Sequence, residues 1–422
     1  MNALSVTSCG RFLTRDGKRP FLLLADTAWE LAHRLNLEEV ERYAATRSSQ
    51  GFNAVLFCLL AEMDGLRVPN RYGEVPFENE DPQRPNEGYF RYVDLILDVF
   101  AKHGLIAGIL PTWGDKWNRV AGAGPEVFDV ANARAYGTWL GRRYSGRDLF
   151  WVLGGDRKVE SDRHRDVLGA MADGLCGSGL ITFHPAGQVD GRNDLRDPGW
   201  LDFSMLQTGH CHPCVPGFQY IEREYTKTVA KPVLDGEPCY EGHPVMTPQW
   251  EPQEERHGAY ACRRALYWAV FSGACGHVYG AHPVWQFHIP ERRPEINRAT
   301  WRWEEALQFP GARQMGLIHR LLPFPGDGLW FPAQELIGQQ PAAECAHLVA
   351  CRDASRHRAL VYAPFGDGLH LDLSSLNGSK ISFRWIHPAT GETCGGGMFL
   401  SPKESIPCPR GSPDWILSLE AS

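Results

Sequence analysis

The chain has 422 residues, enough for two domains, with a hydrophobic fraction of 43% and a charged fraction of 22% that suit a globular protein. Its net charge of −7 supplies no basic field, which sets nucleic acid aside as a partner. No apolar run reaches the roughly 18 residues that span a bilayer, which sets aside a membrane helix.

The first residues, Met1 to Cys9, have no basic start and no apolar core. No secretory signal is visible, so a cytoplasmic location is expected, and the 12 Cys, scattered without framework spacing, are expected as buried free thiols. Phe12-Leu13-Thr14 and Phe21-Leu22-Leu23-Leu24 flank Arg15-Asp16-Gly17-Lys18, which predicts a hairpin. Its second arm continues into Ala25-Asp26-Thr27 as the first long strand.

A strand–helix rhythm follows. Asn36 with Glu39 three residues on opens a helix, and Gly51 ends it. Asn53–Cys58 is strand two. Gly88–His103 is an amphipathic helix with Phe90, Val93, Ile96, Leu97 and Phe100 on one side. Leu105–Leu110 is strand three. A helix near 131–144 leads to strand four, Leu149 to Asp156. Ile181–His184, Asp202–Gln207 and Pro232–Glu237 are strands five, six and seven. A long helix, 254–272, feeds strand eight, Gly276–Gly280, and a last helix covers 302–322. Eight apolar runs alternating with helices predict an α/β fold, a (β/α)8 TIM barrel over residues 1–323. From 324 to 422 the runs shorten and turns bound them, which predicts an accessory β-sandwich domain.

In such a barrel the chemistry sits at the carboxyl ends of the strands. That rule selects Asp26, Trp113-Gly114-Asp115-Lys116, Asp156, His184, Gln207-Thr208-Gly209-His210, Glu237 and Tyr279-Gly280-Ala281-His282. A single carboxylate after a strand is more often a helix cap or a surface acid. So many polar positions in register are harder to dismiss, because unpaired buried polar groups cost about 1–3 kcal/mol each. Gly154 and Gly155 clear space before Asp156, and Pro238 keeps Glu237 extended. Two acids facing each other across a barrel mouth are the equipment for hydrolysing a glycosidic bond. Asp235 is the near alternative to Glu237; two residues apart, they share a face, and the downstream one lies nearer the mouth.

The chain has 14 Trp, explained either by large cores or by stacking on sugar rings. Trp113, Trp117 and Trp285 fall in loops after strands and are the stacking candidates. The 29-residue stretch from Leu60 to Gly88 suits a substrate wall, with Met63–Leu66 and Asn70–Tyr72 as its candidates, or a solvated insertion. His210-Cys211-His212-Pro213-Cys214 carries one C-x2-C without the second ligand pair a zinc site needs, so no metal and no cofactor is expected.

The segments Ala25-Asp26-Thr27-Ala28-Trp29, Trp113–Trp117, Trp151–Asp156, Asp235-Gly236-Glu237-Pro238 and His277–Gly280 together resemble the apiosidase-like glycoside hydrolases, from about residue 5 to 322. The tail resembles the collagen-binding-like β-sandwich often appended to that family. The resemblance implies a retaining hydrolase with an Asp acid/base after strand four and a Glu nucleophile after strand seven, and Asp156 and Glu237 fall on those positions. It also implies an oligosaccharide substrate, with release of apiose from pectin side chains as the family's activity. Asp26, Trp29, Trp113, Asp115, His184, Gln207, His210, Tyr279, His282 and Trp285 are then expected to bind sugar or orient the acids. The competing readings are a non-catalytic carbohydrate-binding protein on a TIM-barrel scaffold and an adhesin that grips protein through the sandwich.

Overall fold

The computed structural model describes residues 4–15, 17, 19–247, 249–292, 294–322, 329–366 and 368–422. Among the described residues eight parallel strands share one sheet: β1 (Leu23–Thr27), β2 (Ala54–Cys58), β3 (Ile106–Leu110), β4 (Leu149–Arg157), β5 (Leu180–Pro185), β6 (Ser204–Leu206), β7 (Val233–Asp235) and β8 (Gly276–Tyr279). Their order, β5-β4-β3-β2-β1-β8-β7-β6, runs round a barrel. The seam between β5 and β6 is closed by Asp202 N donating to Ile181 O (2.9 Å) and Thr182 Oγ1 donating to Phe203 O (2.7 Å).

Alternation along the strands sorts the core into two layers. Leu23, Ala25, Leu56, Ile106, Phe150, Val152, Met205, Leu234 and Val278 fill the barrel interior. Leu24, Val55, Phe57, Ile109, Trp151, Leu153 and Phe183 face the helices. Those helices are α1 (Leu37–Ser49), α2 (Glu87–Lys102), α3 (Val130–Arg143), α4 (Asp162–Leu175), α5 (Gly217–Tyr225) and α6 (Ala259–Phe271). The Asn36/Glu39 capping box at the head of α1 is formed. Leu13–Thr14 pairs with Pro20–Phe21 as the expected hairpin, and Ser5–Val6 adds a third strand; Asp16 and Lys18 of its turn lie outside the described residues.

Three helix expectations need correction. The helix expected over 254–272 begins only at Ala259, after Gly258; Pro252–Arg256 is instead a strand paired with Pro244–Met246. Glu254-Glu255-Arg256 resembles a helix surface but has no apolar face to bury. The helix expected over 302–322 is three short ones, Trp303–Ala306, Pro310–Met315 and Ile318–Leu321, because Pro310 cannot sit inside a helix and starts a new one. Helices α4 and α5 fall where the sequence reading has none, although Ser161 caps α4 by accepting from His164 N.

Two antiparallel sheets make the C-terminal sandwich. The strands are β9 (Trp330–Pro332), β10 (Ile337–Gln339), β11 (Val349–Asp353), β12 (Arg358–Ala363), β13 (Leu369–Asp372), β14 (Ile381–Ile386), β15 (Thr393–Phe399), β16 (Lys403–Ile406) and β17 (Trp415–Ala421). Their orders are β9-β11-β12-β17-β14-β15 and β10-β13-β16. The expected boundary at 323/324 lies outside the described residues. Barrel and sandwich meet along α6. Arg263 binds Asp414 through two buried hydrogen bonds (2.8 and 2.6 Å), Tyr267 packs on Tyr362, and Trp268 Nε1 donates to His347 O. A disulfide joins Cys214 of the barrel to Cys345 of the sandwich, 131 residues apart. That overturns the expectation of free thiols throughout, and it removes Cys214 from any metal-ligand set.

Candidate active site

An open cleft of about 840 Å3 lies over the carboxyl ends of the strands. Both Asp156 and Glu237 line it, together with Trp29, Trp113, Gln207, His210 and Trp285 from the sequence reading.

Asp156 arrives there by a backbone irregularity. The β4–β5 ladder shifts register between Gly154 and Arg157, a bulge of the kind that re-aims a side chain. Gly154, Gly155 and Asp156 take φ of +99°, +94° and +54°. A side chain at Gly154 would put its Cβ 2.5 Å from His184 O, and one at Gly155 would put it 2.7 Å from Gly114 N, so only glycine fits between β3 and β5. Asp156 itself is left-handed without being glycine, and such strain gathers at functional sites. Glu237 lies just beyond β7, where Glu237 N meets Leu206 O (3.3 Å) and Gly209 N donates to Glu237 O (2.8 Å). Asp235, the alternative acid, stays buried inside, bound by Thr208 Oγ1 (3.1 Å).

One imidazole joins the two acids. Asp156 N donates to His184 Nδ1 (3.2 Å), and His184 Nε2 stands 2.9 Å from Glu237 Oε2. His184 lies behind the cleft wall rather than on it, fully buried. Burial pushes its pKa down, but the Glu237 carboxylate more than reverses this, so the net shift is upward. On the other side His210 Nε2 stands 3.2 Å from Glu237 Oε1, while His210 Nδ1 faces Pro238 O (3.1 Å). The His210 ring is packed between Tyr240 (4.6 Å) and His243 (4.5 Å).

These contacts drive the two carboxyls apart in acidity. Burial alone would raise Glu237, yet the bonds from His184 and His210 bring its pKa down to about 2. Asp156 moves the other way. Burial first, then the charge of Glu237, raise it to about 6 against the pull of His184 and Arg157. The Asp156 side chain keeps 39% of its surface accessible, so it meets cleft solvent from a recess that protein otherwise encloses. One acid thus holds a proton under mildly acidic conditions where its neighbour cannot.

Besides His184, four expected site residues lie behind the cleft, which corrects their assignment to substrate. Asp26 is wholly buried and receives Arg47 Nε (2.7 Å) and Tyr43 OH (2.6 Å). Tyr279 donates to Glu241 Oε2 (2.6 Å), which also accepts from Gly311 N through Oε1 (3.2 Å). Asp115 is buried against Lys116 Nζ (2.7 Å) and Gly124 N (2.7 Å), tying down its own loop. His282 accepts from Trp285 Nε1 (3.1 Å) and faces Asn297 O, and burial above all holds its pKa down to about 3, so it orients Trp285 as a neutral ring. Trp117 is core rather than a platform, with Nε1 donating to Gly154 O (3.0 Å). Of the long loop after β2, Met63 reaches the cleft, whereas Asn70–Tyr72 do not line it.

The sequence reading misses several cleft residues. Arg157 follows Asp156 and reaches Glu62 (3.3 Å), whose pKa burial raises to about 7. Tyr240, three residues past Glu237, accepts from Trp29 Nε1 (3.2 Å); burial and the Glu237 charge hold its phenol well above the usual range, so it stays a donor. Trp250, at φ +63°, stands half exposed on the 244–256 hairpin beside His210. No sequence signal places that hairpin, since its strands lie within the stretch expected as loop and helix. Trp113 and Gln207 line the cleft, but Trp113 Nε1 and Gln207 Oε1 are turned into the protein, where neither has a hydrogen-bond partner.

Residues 7–324 match the family described as "Apiosidase-like, catalytic domain", and residues 331–420 match "Putative collagen-binding domain of a collagenase". No curated protein matches. Among solved structures, one titled "Glycoside hydrolase" superposes with a TM-score of 0.88 at 28% identity, covering 100% of this chain and 97% of its own. A glycoside hydrolase family 5 structure from Bacteroides vulgatus gives 0.88 at 29% identity, covering 99% and 94%. A further glycoside hydrolase from the same organism shares the fold at 0.70 and 12% identity, covering 100% and 82%. The chain belongs to the apiosidase-like family and is a glycoside hydrolase.

Proposed function

We propose that the protein removes a terminal sugar from a plant-type oligosaccharide with retention of configuration, Asp156 acting as general acid/base and Glu237 as nucleophile. The observation that carries this is the opposed acidity of two carboxyls sharing one cleft and one imidazole: Asp156 at about 6 and Glu237 at about 2. A proton donor to the leaving oxygen must be neutral when the nucleophile is charged, and this pair meets that condition. His184 spans from the Asp156 backbone to the Glu237 carboxylate. A carboxyl separation of about 5–5.5 Å gives double displacement and one of roughly 6.5–9.5 Å admits an attacking water, so the stereochemistry of the product decides between them.

In the first step Asp156 protonates the glycosidic oxygen while Glu237 attacks the anomeric carbon, forming a glycosyl-enzyme. In the second, Asp156 takes a proton from a water whose oxygen attacks the anomeric carbon, breaking that carbon's bond to Glu237 and releasing the sugar. His184, His210 and Tyr240 hold Glu237 as a carboxylate and fix its direction. Trp29, Trp113 and Trp285 line the cleft and offer aromatic faces to a sugar ring. The apiosidase-like family makes a terminal apiose the first sugar to test. The test is a plant-oligosaccharide screen with the anomeric form of the released sugar followed by NMR. Retained configuration supports the assignment; an inverted product, or full turnover by Glu237→Gln, overturns it.

A further inference from the structure

The cleft does not end at the two acids. Its wall continues along the loop after β6 through Cys211, His212, Val215 and Pro216 to Tyr220 on α5, and then to Glu344 of the sandwich. A single cavity therefore touches both domains. At about 840 Å3 it lies toward the upper end of the ~300–1,000 Å3 usual for ligand pockets, which is more than one terminal ring needs.

The far end is built rather than incidental. Gln219 Nε2 donates to Glu344 Oε1 (2.7 Å), which fixes the carboxylate against α5. The next residue, Cys345, is bonded to Cys214 in the cleft wall. Phe218 stacks on His347 with centroids 3.8 Å apart and planes 2° from parallel, and His347 O accepts from Trp268 Nε1 (2.9 Å). These contacts hold Glu344 to the barrel at a fixed position.

We propose that Tyr220 and Glu344 form a distal subsite at the barrel–sandwich seam that binds a further sugar on the leaving-group side of an oligosaccharide, a proposal that rests on the glycosidase reading above. Tyr220 supplies a half-buried aromatic edge for the ring, and Glu344, exposed to the cleft, accepts hydrogen bonds from its hydroxyls. Arg157, a cationic lining residue, stands at the catalytic end beside Asp156, while at this arm the Arg223 guanidinium lies 5.3 Å from the centroid of the Tyr220 ring. The disulfide keeps the sandwich side of the subsite in register with the acids, so the sandwich acts as part of the substrate wall.

The experiment uses the full chain and two readouts. Turnover is compared on an aryl glycoside of the released sugar and on a longer neutral oligosaccharide ending in that sugar. Binding of neutral oligosaccharides of increasing length is measured by calorimetry in a Glu237→Gln background, which needs no turnover. Glu344→Ala and Cys345→Ser should each weaken kcat/KM on the longer substrate by about tenfold, mainly through KM, and leave the aryl glycoside within about twofold. Binding should fall in parallel for long ligands alone. Equal behaviour of wild type and Glu344→Ala on both substrates and in calorimetry overturns the distal subsite while leaving the glycosidase intact. Length-dependent binding lost in Glu344→Ala, with no cleavage of any substrate by wild type, overturns the glycosidase reading and keeps the subsite.

Discussion

Around Asp26 and Glu241 the barrel mouth is closed, and around Asp156 and Glu237 it is open: the first two acids are buried behind the cleft and the second two line it. In the closed sector Asp26 is paired with Arg47, whose guanidinium is ringed by Tyr43, Phe52 and Tyr279 at 5.5–5.9 Å, and none of these groups meets solvent. In the open sector Glu237 meets two imidazoles, and Asp156 reaches His184 through its backbone N while Arg157 Nη1 stands 3.5 Å from its carboxyl. An Arg remains charged at any working pH, so the buried Asp26–Arg47 pair is fixed. A His can share or give up its proton, so the environment of Glu237 can change its charge. What separates a girder from a nucleophile here is the partner, an Arg for Asp26 and imidazoles for Glu237.

The sharpest way to break the comparison is Glu237→Gln. Turnover should fall by at least about 10^3-fold with the melting temperature held, measured by steady-state kinetics and calorimetry. Asp156→Asn should cost about 10^2–10^4-fold on substrates with poor leaving groups and much less on activated aryl glycosides, which need no proton. The closed sector should respond in the opposite sense. Arg47→Ala strands a buried Asp26 and should cost about 3–5 kcal/mol in denaturant unfolding, while the protein that remains folded keeps its turnover. An Arg47→Ala enzyme that is stable yet inactive would place Arg47 in the chemistry and erase the distinction between the sectors.

The pH profile sharpens the contrast. Asp156 must be protonated and Glu237 ionised, so activity should decline as pH rises through about 6 and again as pH falls toward about 2. Removing the Glu237 charge should lower the Asp156 pKa, because that charge is the second cause of its upward shift; carboxyl NMR titration of Glu237→Gln checks this. The smallest effect is expected from Tyr279→Phe. It loses one hydrogen bond to Glu241 and should cost about 1 kcal/mol with no change in pH profile.

The barrel was legible because strand periodicity and helix caps are local. Asn36 and Glu39 announce α1 whatever the rest of the chain does, and apolar runs ending in Asp156 and Glu237 mark the strand ends. Many of the failures are pairings. Asp26 reads like a site residue until Arg47, on the hidden face of α1, is seen to reach it. Cys214 gives no sign of Cys345. The 244–256 hairpin that carries Trp250 has a charged second strand, and nothing within its own sequence distinguishes it from a helix start. Tyr279 and His282 stand at a strand end as expected, but neighbours from distant loops, Glu241 and Asn297, turn them away from the cleft.

The buried Arg263–Asp414 pair and the ring contacts along α6 also bear on how the molecule melts. A face carrying Tyr267, Trp268 and Phe218 would be left wet if the sandwich came away, so neither half has much reason to persist without the other. Heating should therefore give a single calorimetric endotherm whose van't Hoff and calorimetric enthalpies agree, and a barrel truncated before residue 329 should be prone to aggregate.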